Sequence, residues 1–426
     1  MKLAGRTMVD TAPLRESPAY RRIWAGNGLS SIGGQMTQYA VLLQVFLLTR
    51  SSLSVGLVGL AAAIPVVVVS LAGGAVVDAL DRRTTVLAAT SVQVVVSGAL
   101  AALAFAHLNR VWLLYVLVAI EAAVSAVNAP ARRTFMPMLL RREQLPAGAA
   151  LQMFTMHGSI TIGPALAGLL TAAWGLKACY LVDALSFGFA LYGVARLPPM
   201  RPSGGGTRPG LRAVAEGLRF VAGTRVILGA FVADMSATVL GMPIALFPAI
   251  NAQRFGGSPE TLGLLTTALA VGGMLGSALS GPAGRVNRQG LGMLGAAGVW
   301  GAGLVGFGLS GVFGLALLAL AVAGAGDATA VVLRTALVQG VTQDELRGRV
   351  SAAEFATGAG VPQLGNFRAG AVASLSSPGV SAVTGGIAVL AGAAAVGMSI
   401  PALAAFRARP SPQSGSTQPA NAPVSH

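Results

Sequence analysis

Long apolar runs separated by short polar breaks dominate the chain. Residues 55–72 read VGLVGLAAAIPVVVVSLA and residues 86–106 read VLAATSVQVVVSGALAALAFA, with GGAVVDALDRRTT between them. About 20 apolar residues suffice for a helix to cross the hydrocarbon core of a bilayer. On that count the pattern predicts helices 1–6 over 23–48, 55–77, 84–106, 111–131, 147–173 and 177–196. Helices 7–12 follow over 224–250, 259–283, 289–310, 312–338, 350–374 and 380–406. The segment RLPPMRPSGGGTRPGLRAVAEGLRF, rich in Pro, Gly and Arg, reads as an exposed linker ending in a surface helix. The domain plan is therefore an N-terminal segment 1–22, a six-helix bundle 23–196, a linker 197–223, a second bundle 224–406 and a disordered tail 407–426. The expected fold class is an all-α membrane protein with twelve transmembrane helices in two pseudo-symmetric six-helix bundles.

Composition removes the soluble alternatives. The chain is 54% hydrophobic and 10% charged, whereas soluble domains carry about 25% charged residues, too many fewer here to coat a water-facing surface. Abundant glycine (57 residues) suits close helix–helix approach in lipid. The net charge of +15 would suggest nucleic acid in a soluble protein. Here the cations sit in short loops, so a membrane topology accounts for them and no nucleic-acid partner is expected. With the N-terminus in the cytoplasm, only Arg50, Arg110, Lys177, Arg254 and Arg368 fall toward the outer side. The positive-inside rule then places both termini in the cytoplasm. The N-terminal stretch has no cleavable-signal pattern, which leaves the first helix as the insertion signal. Cys179 stands alone, so no internal disulfide is expected.

The two halves look related. RTFMPMLLRREQL (133–145) and RTALVQGVTQDEL (334–346) share Arg-Thr, an acid and Leu at one constant offset. DRR (81–83) and GRVNR (284–288) fall at a similar offset. Parallel repeats of this kind enclose a site near the bilayer midplane.

These features resemble the major facilitator superfamily over essentially the whole chain. Its loop motif G-x-x-x-D-R-x-x-R-R is matched by Gly74, Asp78, Arg82 and Arg83, with Ala79 where the family has Arg. RSSLSVGLVGLAAAIP (50–65) and DELRGRVSAAEF (344–355) are similar to the drug-efflux branch that includes macrolide and enterobactin exporters. The likeness implies an inner gate built from Gly74, Asp78, Asp81, Arg82, Arg83, Arg132 and Arg133. Asp78 is expected against the N-terminus of helix 11, where a carboxylate gains about 0.3–1 kcal/mol. A plain basic turn is the alternative. On helix 5, Gly158, Gly163, Pro164 and Gly168 resemble the G-x-x-x-x-G-P-x-x-G-G element of proton-coupled exporters, with Ala167 replacing one Gly. An ordinary Gly/Pro kink is the alternative there.

In this superfamily helices 1, 4, 7 and 10 line the central cavity, and those four carry polar stripes. Asn27, Ser31, Gln35 and Gln38 follow one face of helix 1 with Tyr39 beside them. Glu121, Ser125, Asn128 and Arg132 align on helix 4; Asp234 and Thr238 mark helix 7; Asp327 and Arg334 mark helix 10. An acid at a helix centre costs about 2.5–3.5 kcal/mol on insertion, so Glu121, Asp234 and Asp327 are the proton-coupling candidates. A structural pair between Asp327 and Arg334 is the competing explanation. Asp183, placed near the outer end of helix 6, and Glu354 read as structural.

The function implied is secondary export of an amphipathic small molecule, drug or antibiotic-like, by proton antiport with alternating access. A siderophore exporter of the same fold and a transport-inactive sensor are the alternatives. No catalytic residues, metal or cofactor are expected. The resemblance implies the proton gradient as the energy source, and ATP as direct fuel is not expected, since neither Lys2 nor Lys177 sits in a phosphate-binding G-x-x-x-x-G-K-[ST] loop. The partners are the cargo and membrane lipid, and the protein is expected to be a monomer.

Overall fold

The computed structural model describes residues 10–72, 81–198, 200, 211–283 and 288–407. Every regular element among them is helical. The long helices are α1 (Pro18–Thr49), α2 (Ser52–Ala72), α3 (Arg82–Phe105), α4 (Val111–Arg133), α5 (Leu145–Trp174) and α6 (Leu176–Ala195). They continue as α7 (Arg225–Gly241), α8 (Pro259–Ala283), α9 (Gln289–Leu309), α10 (Phe313–Val341), α11 (Asp344–Leu375) and α12 (Pro378–Ser399). Among the described residues, 10 spans are long and apolar enough to cross a membrane. The helices outside that set are α1 and α11, whose polar positions dilute their apolar runs. The chain is thus an all-helical, multi-span membrane protein. A separate amphipathic helix, Leu211–Gly223, precedes α7.

Local chemistry sets the ends. Ser17 caps α1 by accepting from Tyr20 N at 3.2 Å, and Pro18 occupies the first turn, where its missing N–H costs nothing. The helix therefore begins five residues before the expected start at 23. Pro401 interrupts the last expected helix, which stops at Ser399 and resumes as a short turn, Pro401–Ala404.

Helix 7 departs most from expectation. Instead of running unbroken over 224–250, α7 ends at Gly241, a 3₁₀ turn occupies Ile244–Leu246, and helix resumes at Phe247–Arg254. Pro243 has no N–H, and the preceding Met242 is extended (φ −67°, ψ 116°), as the steric clash with a following proline favours. Backbone groups freed by the break are met from α11. Asn366 Oδ1 accepts from Ala245 N at 3.2 Å, and Arg368 Nη1 donates to the Leu240 carbonyl at 2.6 Å.

The first-half helices pack on one another, α1 against α5 and α6, α3 against α4 and α6, and α2 against α4. In the second half α10 packs on α8 and α9, and α12 on α7 and α9. Among the described residues the broadest seams joining the halves are α2 on α11 and α5 on α8. Small residues allow the approach. A Cβ on Gly168 would meet the Pro259 carbonyl oxygen at 2.8 Å, and one on Gly56 would meet the Asn366 carbonyl oxygen at 2.9 Å.

One large apolar cluster draws on both halves, including Met36, Phe46, Val58, Leu100 and Tyr180 with Phe247, Leu262, Phe307 and Leu320. It lies toward the end that carries the turns after α1, α3, α5 and α9. At the opposite end the clusters are separate. Val86, Phe135, Val194 and Leu197 group in the first half, while Ile227, Met293, Leu337 and Val350 group in the second. Among the described residues, then, the halves share an apolar core at one end only.

Candidate transport cavities

Two cavities lie where the halves meet, separated by Gln38 and Leu42 of α1 and by Ile244 in the break after α7, all of which line both. The first, of about 320 Å³, is walled by α1, α2, α4 and α6, with Gln363 and Asn366 of α11. Its ionisable groups are Glu121 and Asp183; the rest of its lining is apolar or neutral. The second, of about 300 Å³, is walled by α1, α5, α8 and α10 and carries Asp327, His157, Tyr39 and Gln35.

Glu121 projects from α4 and accepts from Gln93 Nε2 of α3 at 2.6 Å, leaving Oε2 without a hydrogen-bond partner. A polar chain runs on from Gln93. Gln93 Oε1 accepts from Asn128 Nδ2 at 2.6 Å, and Asn128 Oδ1 accepts from Arg132 Nε at 3.0 Å. The Arg132 guanidinium also donates to Thr90 Oγ1 at 2.8 Å and to Asn27 Oδ1. Thus α4 presents one polar face inward because its polar positions recur every third or fourth residue.

Asp183 is placed differently from expectation. It lies in the interior of α6 rather than near an outer end, is 1% exposed and lines the first cavity. Its Oδ2 accepts from Thr37 Oγ1 at 2.8 Å and from Ser97 Oγ at 2.7 Å, while Oδ1 has no hydrogen-bond partner. The sequence marks Asp183 as an acid within an apolar span and reads it as structural; its place on a cavity wall was not legible because both donors come from helices distant in sequence.

In the second half, Arg334 Nη1 of α10 lies 2.5 Å from Asp234 Oδ2 of α7. The competing reading of an Asp327–Arg334 pair is replaced by this interhelical one, and Asp327 instead lines the second cavity. Of the remaining cavity candidates, Gln35 and Tyr39 line the second cavity, Ser125 the first and Gln38 both. Tyr39 also donates to the Pro259 carbonyl at 2.5 Å, tying α1 to the start of α8. Asn27 and Asn128 serve Arg132 outside both cavities, and Ser31 and Thr238 line neither.

On helix 5, Pro164 lines the second cavity, Gly163 packs against Gln35, and Gly168 faces Gly263 of α8. Gly158 meets no neighbouring element. Gly74 and Asp78, with Ala79, lie outside the described residues. Asp81 caps α3 by accepting from Thr84 N at 2.9 Å, and it also takes the Met200 amide at 2.8 Å. Burial pushes its carboxyl up, but those hydrogen bonds outweigh the effect and hold it below its ordinary value. Arg83 Nη2 donates to the Ala195 carbonyl at 2.8 Å and Arg82 touches the Met138 sulfur. Arg133 is exposed at the end of α4. Arg132, by contrast, leaves the expected surface cluster and turns inward, where the amides and hydroxyl satisfy a guanidinium that lipid cannot. Among the described residues no group of three or more His, Cys, Asp or Glu side chains is placed to hold a metal ion.

Helices walling largely apolar cavities with a few polar and acidic groups between two halves define a membrane carrier. The chain belongs to the transmembrane secretion effector family of the major facilitator superfamily, which it matches over residues 8–421. It is 27% identical over 271 residues to macrolide efflux protein A of Streptococcus pyogenes, covering 63% of this chain and 67% of the relative. It is 24% identical over 396 residues to the enterobactin exporter EntS of Shigella boydii, covering 90% and 92%. The crystal structure of the nucleoside transporter NupG superposes with a TM-score of 0.73 at 11% identity, over 91% of this chain and 100% of that one. The protein is therefore a secondary-active small-molecule transporter of a bacterial cytoplasmic membrane, and not an enzyme.

Proposed function

We propose that the protein exports an amphipathic small molecule in exchange for protons, by alternating access between two six-helix bundles. In this reading α1 and α11 also cross the bilayer, giving twelve spans, and both termini lie in the cytoplasm. The observation that carries it is the setting of Glu121, a carboxylate in a largely apolar cavity with a neutral amide as its partner and one oxygen unpartnered. Low-dielectric surroundings favour the neutral form of an acid, and access to water favours the charged one. A chamber that opens alternately therefore loads and unloads a proton. Each proton entering down about 100 mV brings about 2.3 kcal/mol from the potential alone.

The shared apolar core at one end supports assigning this arrangement to the inward-facing state, with the outer end sealed along α2–α11 and α5–α8. Drug export is favoured by the macrolide-efflux relative. Siderophore export is a second reading, favoured by the enterobactin exporter's likeness over 90% of the chain.

The test is reconstitution of the full chain in vesicles holding a pH-sensitive dye. Adding a macrolide or a catecholate siderophore should release stored protons with one class and not the other. Silence with both, while either ligand binds, would favour the transport-inactive sensor.

A further inference from the structure

The geometry points to Arg132 as a positioning residue for the proton step. It fixes the direction of the two amides between itself and Glu121, so that Glu121 always receives a donor on Oε1 and takes its proton on Oε2. The inference deepens the exporter reading, on which it rests, by naming what prepares the coupling acid.

A guanidinium has five donors, no acceptor, and keeps its charge in proteins. Arg132 Nε therefore obliges Asn128 to turn its side-chain oxygen toward it, at 3.0 Å. Asn128 is left to present its NH₂, which donates to Gln93 Oε1 at 2.6 Å. Gln93 in turn has only its own NH₂ for Glu121 Oε1, at 2.6 Å. Thr90 Oγ1 braces the junction, accepting from Arg132 Nη2 at 2.8 Å and from Asn128 Nδ2 at 3.5 Å. Asn27 of α1 accepts from the remaining arm of the guanidinium. Asn128 and Gln93 are each 4% exposed and Thr90 is fully buried. Bulk water is therefore not at hand to satisfy an amide turned the other way. Reversing either one would set like groups face to face and leave buried polar atoms unpaired.

The charged or titratable groups that act on Glu121 are Arg132 on α4 itself and Asp183 on α6. No ionisable residue lies on α2, and those of α3, Arg82 and Arg83, stand in its first turn. Toward the cavity, α1 and α11 present Gly34, Thr37, Gln38, Gln363 and Asn366, all neutral. Charge alone would act through space whatever the amides do, whereas a fixed amide order acts only through contact. With that order fixed, the ionised carboxylate finds a donor waiting. The protonated acid has its O–H on Oε2, which has no hydrogen-bond partner. A freed Gln93 would turn its carbonyl to Glu121 and accept from the acid, so the proton would be held more firmly.

Infrared titration of the purified full chain in lipid nanodiscs tests this by the carbonyl stretch of the protonated acid. The Glu121 band is the one lost in Glu121→Gln and kept in Asp183→Asn. Asn128→Leu keeps the Arg132 charge and breaks the order. Its Glu121 midpoint should rise by about 0.5–1 pH unit, a three- to tenfold gain in proton affinity. The band should also fall in frequency as the O–H finds the Gln93 carbonyl. Arg132→Met should raise the midpoint at least as far, and Arg132→Lys, again a donor without an acceptor, should restore most of it. Arg142→Met, which removes an exposed cation outside the chain, should change nothing. A rise in Arg132→Met without one in Asn128→Leu would overturn the inference and leave only charge acting through space. Midpoints unmoved in both would also overturn it. If Arg132→Met does not fold, Asn128→Leu decides. If Asn128→Leu does not fold, the band frequency in Arg132→Met decides, since loss of charge alone leaves the O–H unbonded. Shifted midpoints in a protein that exports nothing on a proton gradient would retain the chain and reject the antiport reading.

Discussion

Arg334 on α10 and Asp234 on α7 meet at 2.5 Å with side chains only 12% and 20% exposed, joining two helices of the second half through a nearly buried ion pair. Removing one member of such a pair leaves an uncompensated charge, which costs more than losing both. Arg334→Gln should therefore destabilise the detergent-solubilised protein by about 3 kcal/mol. The double variant Arg334→Gln/Asp234→Asn should recover most of that loss. Thermal unfolding of the three variants reads the coupling directly. Additive losses would show that the two side chains act independently.

The cap on α3 gives a pH dependence of known sign. Asp81 titrates below its ordinary value because Thr84 and Met200 donate to its charged form. A depressed carboxylate adds stability that is complete above its unfolded-state value, about 3.9. That contribution is lost as the pH falls through the lower, folded-state value. Backbone amides at the start of α3 should exchange faster under such acid conditions, after correction for intrinsic rates. Asp81→Ala should show the same loosening at neutral pH, with a cost of about 1 kcal/mol.

Glu121→Gln isolates the proton step. Glutamine is nearly isosteric and can still meet Gln93, so the fold and the cavity should persist. Gradient-driven export from vesicles should nevertheless fall to background while equilibrium ligand binding remains. Undiminished proton-driven export by this variant would take Glu121 out of the mechanism.

How much of this was legible beforehand depended on whether the decisive contact was local. The apolar runs mark the helices, and Gln35 and Gln38 of the stripe on α1, with Tyr39 beside it, lie on cavity walls. Ser31 follows the same period and lines neither cavity, because a helical face is wider than the part of it that meets the opening. Asp183 reads as merely structural in the sequence because its partners, Thr37 and Ser97, lie 146 and 86 residues away. Arg334 sits two turns beyond Asp327 on one face, yet its guanidinium reaches across to α7 instead. The prolines at 243 and 248 were visible in MPIALFP, but the apolar window running through them outweighed the break they signalled.

That break is held from outside. Asn366 supplies an acceptor to Ala245 N, and no carbonyl of a regular α-helix is available to replace it. Asn366→Leu keeps the bulk and removes the acceptor, leaving a buried N–H unsatisfied. A loss of about 1–3 kcal/mol is expected. Because Asn366 itself lines the first cavity whereas Ile244 lines both, affinity for a ligand of the second cavity should fall together with stability in this variant. Binding that survives a measured destabilisation would separate the break from the cavities.

The seal between α5 and α8 can be pried open at one atom. Gly168 faces the Pro259 carbonyl and the Gly263 backbone, so any side chain must push the two helices apart. Valine at 168 should therefore weaken the outer seam while leaving the first cavity's walls of α1, α2, α4 and α6 in place. Leu262, 2% exposed within the shared apolar cluster, is a suitable reporter. In a Cys179→Ser background, a cysteine at 262 should react slowly with a membrane-impermeant maleimide added from outside. Gly168→Val should speed that reaction severalfold, because separating the seam raises the population in which the outer end admits water. An unchanged rate, with the protein still folded, would mean that the Gly168 contact is not what holds the outer end shut.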